Sequence, residues 1–123
     1  MKTLTVAMTE RALTSDERAL IDAIVSATGY YNPDALQVEL AGAMVKSSST
    51  WVCEVRAPVS TPVFNCSDGP FPARAFVSNG SDYQGEIIIW ITDGHLSGLE
   101  YAWVTDQPPT RWPRPDELNV HPA

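Results

Sequence analysis

A two-residue turn between two apolar segments constrains the fold of this chain more than any other feature. Asp93-Gly94 follows the segment EIIIWIT, residues 86–92. After the turn, large apolar residues recur at every second position: Leu99, Tyr101 and Trp103. Asp and Gly adopt the left-handed backbone angles of a type I′ turn, which joins antiparallel strands. Glycine inside a strand often marks a β-bulge, so we expect one at Ser97-Gly98. The sequence therefore predicts a β-hairpin.

Further segments are typical of strands. Residues 51–57 (WVCEVRA) alternate between the two faces of a half-buried strand, and shorter strands are expected at residues 43–46 and 73–78. The segment EIIIWIT is apolar on both faces, so we expect a central strand whose second face is covered by helices. Prolines crowd residues 58–72 and lack the amide donor that a central strand needs. No regular sheet is expected there.

A first helix is expected to begin after Thr14. Thr14 can act as its N-cap, and Glu17 three residues later completes a capping box. The apolar residues that follow share one helix face: Leu20, Ile21, Ile24, Val25 and Ala27. Gly29 is expected to end the helix, because glycine adopts the left-handed conformation that often follows the last turn. Earlier in the chain, Leu4 and Val6 alternate with threonines and indicate a short strand or an extended arm.

A second helix is expected over residues 33–41. Asn32 is a favoured N-cap, and Pro33 suits the first helical position. The alternation of Leu36, Val38 and Leu40 leaves a strand as the alternative.

The order of these elements predicts the fold class. Helices followed by strands are typical of α+β proteins, and 123 residues suit one domain. We expect a single domain over residues 1–123, with two N-terminal helices packed on a mainly antiparallel sheet of four to five strands. A proline-rich extended C-terminal tail is expected to follow the sheet.

Charge and composition exclude several classes of partner. The net charge is −7 and only eight residues are Lys or Arg, which argues against nucleic acid, since phosphate binding needs clustered basic residues. No apolar run approaches the roughly 20 residues of a membrane helix, and the first residues are not expected to form a signal peptide. We therefore expect a cytoplasmic protein without membrane contact, in which Cys53 and Cys66 are reduced. A Cys53–Cys66 bridge is the less favoured alternative.

No cofactor or metal is expected. The chain contains no CxxC pair, no calcium-binding loop of the DxDxDG type and no glycine-rich phosphate loop. Asp93, His95 and Ser97 are the residue types of a nucleophilic triad, but their spacing of two places them on one short segment. The members of a triad normally approach from separate segments, so we expect no catalytic residue in the hairpin.

Five residues are candidates for binding: Trp112, Arg111, Arg114, Glu100 and Tyr101. Glu100 lies on an apolar strand and is expected to be sheltered, with Arg74 or Arg56 as the partner of an ion pair. A core position accounts for most aromatic residues, Trp90 and Trp103 among them. Trp112 is the best candidate for the surface, because Trp beside Arg is typical of interface anchors. The alternative, somewhat favoured, is that Trp112 pins the tail to its own domain.

The segment DGHLSGLEYAWVTDQPPTRWPRPDEL, residues 93–118, resembles the closing segment of a family of small uncharacterised actinobacterial proteins. The pattern is DGxLSxLE, then DxPP, then PxP and a leucine. The positions that match it are Asp93-Gly94, Leu96-Ser97, Leu99-Glu100, Asp106, Pro108-Pro109, Pro113 and Pro115. The resemblance implies a small, soluble, single-domain bacterial protein and brings no activity with it. It also implies that Asp93, Ser97 and Glu100 define the hairpin.

These observations favour a non-enzymatic protein-interaction module, of an inhibitor or immunity-like kind, that binds a protein partner more basic than itself. The alternative is a small-molecule-binding or hydrolytic domain with a pocket between the helices and the aromatic sheet face. A third interpretation is a homodimer formed through an open edge of the sheet.

Overall fold

A computed structural model describes residues 10–58 and 61–122, and the predicted strand at Leu4 and Val6 lies outside them. In the described ranges the chain forms two α-helices and eight strands, which confirms the α+β class. The helices are α1 (Ser15–Ser26) and α2 (Pro33–Gly42). The strands are β1 (Arg11–Ala12), β2 (Met44–Ser49), β3 (Val52–Arg56), β4 (Gly69–Pro70), β5 (Ala73–Asn79), β6 (Asp82–Thr92), β7 (His95–Trp103) and β8 (Leu118–Pro122).

The capping box predicted for α1 is confirmed. The Thr14 hydroxyl accepts a hydrogen bond from the backbone N–H of Glu17, and the Glu17 carboxylate accepts one from the backbone N–H of Thr14. The helix ends at Ser26, so the prediction that Gly29 ends it was wrong. Both the backbone N–H and the hydroxyl of Thr28 donate to the Val25 carbonyl, which satisfies the end of the helix without a glycine.

The second helix is also confirmed. The side chain of Asn32 accepts a hydrogen bond from the backbone N–H of Ala35 at 3.1 Å, and Pro33 occupies the first turn. Three residues of this helix are buried, namely Leu36, Glu39 and Leu40. The predicted end at residue 41 is one residue short of the observed end.

The sheet is larger than predicted. Its eight strands pair antiparallel in the order β1-β2-β3-β7-β6-β5-β8, with β4 beside β6, so four to five strands was an undercount. Two of the additional strands, β1 and β4, have two residues each. The expectation that residues 58–72 contain no sheet was wrong, because Gly69 and Pro70 pair with the end of β6 that β5 does not reach.

The C-terminal segment forms more regular structure than the predicted extended tail. Pro115–Glu117 form one turn of 3₁₀ helix, and the whole length of β8 then pairs with β5. This pairing makes β8 an edge strand of the sheet.

The hairpin of β6 and β7 is confirmed, and so is its bulge. Asp93 and Gly94 have φ angles of 53° and 78°, as a type I′ turn requires. Trp90 pairs with Gly98 while Ile91 pairs with Leu96, so Ser97 is the extra residue of the bulge.

One face of this hairpin belongs to the core and the other does not. Along β6 the core residues alternate with residues of the opposite face, and they form one cluster with the buried residues of both helices. The prediction that helices cover the second face of this strand was therefore wrong for the described residues. Trp90 and Trp103 are 37% and 39% exposed, which corrects their predicted core positions. The face that carries Val52, Ile88, Trp90 and Glu100 is called the open face below.

Candidate functional site

Trp90 lies across β7 on the open face, and Gly98 makes this position possible. A Cβ atom at Gly98 would lie 3.1 Å from Cδ1 of the Trp90 indole, closer than ordinary contact allows. Because glycine has no Cβ, the indole can lie over the backbone of β7. From there its Nε1–H donates a hydrogen bond to Oε1 of Glu100 at 3.2 Å. The hairpin register therefore creates a tryptophan–glutamate pair on the surface.

Both direct cross-strand neighbours of Glu100 are apolar. They are Ile88 on β6 and Val52 on β3, and Val52 is 37% exposed. The predicted ion pairs of Glu100 with Arg74 or Arg56 are wrong. Those two arginines bind other carboxylates, Glu86 and Glu10 respectively. Within residues 10–58 and 61–122, no basic side chain forms an ion pair with Glu100.

An open cleft of about 610 Å³ adjoins this pair and contains two of the predicted binding residues, Glu100 and Tyr101. Its walls come from the β2–β3 turn, β7 and the proline segment that follows β7. They are formed by Ser49, Thr50, Trp51, Val52, Ala102, Trp103, Pro108 and Pro109, together with those two residues. Tyr101 is only 6% exposed, and burial raises the pKa of its phenol. Tyr101 therefore lines the cleft but exposes little of its side chain to a ligand.

Trp112 belongs to a different environment. It is half-buried, lies edge-on to Trp51 with ring centroids 5.2 Å apart, and stacks on Tyr101 at 6.2 Å. Its Nε1–H donates a hydrogen bond to Oε2 of Glu17 at 3.1 Å. These contacts favour the interpretation that Trp112 pins the C-terminal segment to its own domain.

Glu17 itself is 1% exposed and fully engaged. Both of its oxygens accept hydrogen bonds from the Arg11 guanidinium, at 2.8 and 2.9 Å. Burial alone would raise the pKa of Glu17, but the hydrogen bonds from Arg11 and Thr14 outweigh it, so that the pKa lies below its usual value. Arg11, Glu17 and Trp112 are called the closed triad below.

The two remaining binding candidates, Arg111 and Arg114, are exposed and bind a neighbouring carboxylate. Arg111 donates to both oxygens of Glu117, at 2.7 and 2.8 Å, and Arg114 lies 3.4 Å from the same group. The Arg111 hydrogen bonds and the backbone N–H of Arg114 lower the pKa of Glu117 to about 2. These arginines therefore stabilise the turn before β8.

A second buried glutamate, which the sequence analysis did not single out, holds the histidine of the hairpin. Glu39 on α2 is 0% exposed, and its Oε1 lies 2.6 Å from Nδ1 of His95. Its Oε2 accepts a hydrogen bond from the backbone N–H of Leu96 at 2.7 Å. β3 pairs with β7 only at residues 98–100, so it does not extend to the N–H of Leu96. The carboxylate of Glu39 therefore accepts the hydrogen bond that a neighbouring strand would otherwise accept.

The other residues of the supposed triad have structural contacts. The hydroxyl of Thr92 donates to Oγ of Ser97 at 2.9 Å, and Asp93 forms the turn, where its backbone N–H donates to Asp68. A signal for Glu39 was present in the sequence: it lies three residues after Leu36 and one before Leu40, on the apolar face of the helix. Glu17 lies three residues before Leu20 and four before Ile21, and so it is also on the apolar face of its helix.

Other reactive groups are less prominent. Cys53 and Cys66 are both free, and burial raises the pKa of each thiol, which disfavours the nucleophilic thiolate. The part of the chain that the structure describes contains no cluster of three His, Cys, Asp or Glu residues suited to a metal ion. Neither of its helices is long and apolar enough to cross a membrane.

No family model matches this chain, and no curated protein or solved structure matches it either. The resemblance of residues 93–118 to an actinobacterial family therefore stays a prediction.

Proposed function

We propose that this chain is a non-enzymatic interaction module that binds a protein more basic than itself through the open face of its sheet. The observation that carries the proposal is the pair of exposed apolar side chains, Val52 and Trp90, around a carboxylate that has no cation among the described residues. A partner with a basic surface complements both the carboxylate and the net charge of −7.

The proposal extends to the kind of module and its location. A small acidic domain that covers a basic surface of its partner acts as an inhibitor or immunity-like protein. The free thiols of Cys53 and Cys66 support a cytoplasmic location, where thiols stay reduced. An actinobacterial source, suggested by residues 93–118, is part of this proposal.

A pull-down from the native host at native expression level, read by mass spectrometry, tests this function. We expect a stoichiometric partner that Trp90→Ala loses. Tyr30→Ala is the matched control, because Tyr30 is an aromatic residue with 47% exposure that lies in the loop after α1 and not on the open face. Absence of any partner, or a partner retained by Trp90→Ala, would show that the open face is not an interaction surface. A stable dimer in light scattering would favour pairing through the edge strand β8 instead.

The second candidate is a hydrolytic or small-molecule-binding domain, and the contact between His95 and Glu39 favours it. In the tautomer whose Nδ1 carries the proton, Glu39 orients the ring and leaves Nε2 as a proton acceptor. His95 is partly exposed, with 23% of its side-chain surface accessible. Such a dyad could act as a general base towards water.

Hydrolysis of p-nitrophenyl acetate distinguishes this candidate. The hydrolytic function predicts a rate above buffer that falls to background in His95→Ala and persists in His121→Ala, which removes the only other histidine. Equal rates for the two variants would exclude a catalytic role of the dyad in ester hydrolysis.

A further inference from the structure

We infer that the Trp90–Glu100 pair is a receptor site for an arginine side chain of the basic partner. The inference rests on the proposed function and specifies the chemistry of recognition. It is carried by a comparison within the molecule, between this pair and the closed triad.

The closed triad shows how an arginine completes a tryptophan–glutamate pair. The indole of Trp112 donates to one oxygen of Glu17 at 3.1 Å, and the guanidinium of Arg11 binds both oxygens at 2.8 and 2.9 Å. A carboxylate has about four acceptor positions, so one indole and one bidentate guanidinium can bind together. The arrangement is therefore sterically and chemically feasible for these three residue types.

The open pair has the first two members and not the third. Trp90 donates to Oε1 of Glu100 at 3.2 Å, much as Trp112 donates to Glu17. In the described ranges no donor reaches the other oxygen of Glu100. Glu100 is also half-buried between Ile88 and Val52, so part of its hydration is already lost before a ligand binds.

These surroundings favour arginine over lysine. A guanidinium is planar, binds a carboxylate through two parallel hydrogen bonds and stacks on an indole, whereas an ammonium is a compact and strongly hydrated charge. The exposed Val52 and the half-buried Ile88 offer apolar contact to the methylene stem of the arginine. The net charge of −7 attracts such a segment from a distance.

Titration with blocked tetra-arginine and tetra-lysine peptides, followed by ¹H–¹⁵N NMR at physiological salt, tests the inference. The indole N–H signal of Trp90 is the direct reporter, and that of Trp112 is the internal reference because its site already contains Arg11. We expect the Trp90 signal to shift in a saturable way with tetra-arginine and several-fold more weakly with tetra-lysine. The Trp112 signal should stay in place.

Two variants of equal charge provide the control. Glu100→Gln should weaken binding of tetra-arginine about tenfold, because a charged and bidentate contact is lost. Asp116→Asn removes the same charge from an exposed position outside the open face and should leave the affinity unchanged. The inference is overturned if Trp90 does not shift, if the two peptides bind equally, or if the two variants weaken binding equally.

The two proposals fail in different ways. A partner that depends on Trp90 in the pull-down, combined with no arginine preference at Trp90 in the titration, would leave the interaction function standing and remove the arginine site. Arginine binding at Trp90 without any partner in the pull-down would remove the proposed function and leave a guanidinium site.

Discussion

The closed triad and the open pair use the same two residue types in different parts of the fold. Glu17 lies on α1 beneath the C-terminal segment and is 1% exposed, whereas Glu100 lies on a sheet face and is half-buried. A buried carboxylate is strongly unfavourable unless a cation and hydrogen-bond donors surround it, and Arg11, Thr14 and Trp112 provide them for Glu17. Glu100 keeps contact with water and is stable without a cation.

The two pairs contribute differently to the stability of the fold. The closed triad joins β1, α1 and the segment before β8, since Trp112 lies 95 residues after Glu17 in the chain. It therefore ties both ends of the described chain to the first helix. The open pair joins only two adjacent strands, so we expect the fold to survive its loss. The acceptor positions of Glu100 that Trp90 does not use remain available for a ligand.

Separate removal of the two carboxylates should give the largest difference in stability between the two pairs. We expect Glu17→Ala to lower the free energy of unfolding by about 3 kcal/mol, because the partly buried Trp112 N–H and the helix cap lose their acceptor. Glu100→Ala should change it by less than about 0.5 kcal/mol, as is usual for a surface position. Urea denaturation followed by circular dichroism measures both. Similar losses in the two variants would contradict the distinction between a structural and a binding pair.

The pH dependence of stability tests the structural role of Glu17. The pKa of Glu17 is lower in the folded protein than its usual value of 4.5, so the folded chain binds this proton less tightly than the unfolded chain. The stability that ionised Glu17 contributes is thus fully present above pH 4.5 and is lost as the pH falls through the folded pKa. We expect the difference in unfolding free energy between the natural chain and Glu17→Gln to be constant near neutral pH and to shrink below 4.5. A difference that grows on acidification would refute this sign.

The smallest expected effect comes from supplying the open pair with its own cation. Val52 is the direct cross-strand neighbour of Glu100, so Val52→Arg places a guanidinium beside the carboxylate. A cross-strand pair of opposite charge contributes about 0.2–1 kcal/mol, and we expect a gain in stability in this range. The same variant should no longer bind tetra-arginine at Trp90. Val52→Leu is the control for the change in size, and binding that survives Val52→Arg would place the peptide elsewhere.

Several elements predicted from local patterns are confirmed by the structure, although the glycine end of α1 is not. The Thr14–Glu17 capping box, the Asn32-Pro33 start and the Asp93-Gly94 turn each depend on backbone groups within four residues, and those groups are adjacent in any fold. The bulge at Ser97 also followed from the glycine next to it. Such elements can be predicted from sequence because the groups that form their hydrogen bonds are neighbours in the chain.

The candidate site was only partly predictable. Glu100 and Tyr101 were expected to matter, and the structure places both at one cleft. Trp90 was expected in the core, because residues 86–92 are apolar on both faces and this pattern does not show which face the helices cover. Glu39 was not predicted as a site residue. Its position on the apolar helix face was visible in the sequence, but its partner, His95, lies 56 residues away.

Capping, periodicity and charge are local or additive properties, so the amino-acid sequence was sufficient to predict the helices, the hairpin, the α+β class and the acidic character of this protein. The pairing of β8 with β5, the face of the sheet that stays open and the glutamate that receives an arginine are visible only in the folded chain. Those outcomes depend on contacts between residues far apart in the chain. Two pairs of the same residue types, Trp and Glu, therefore differ in burial, and through burial they differ in their need for a cation.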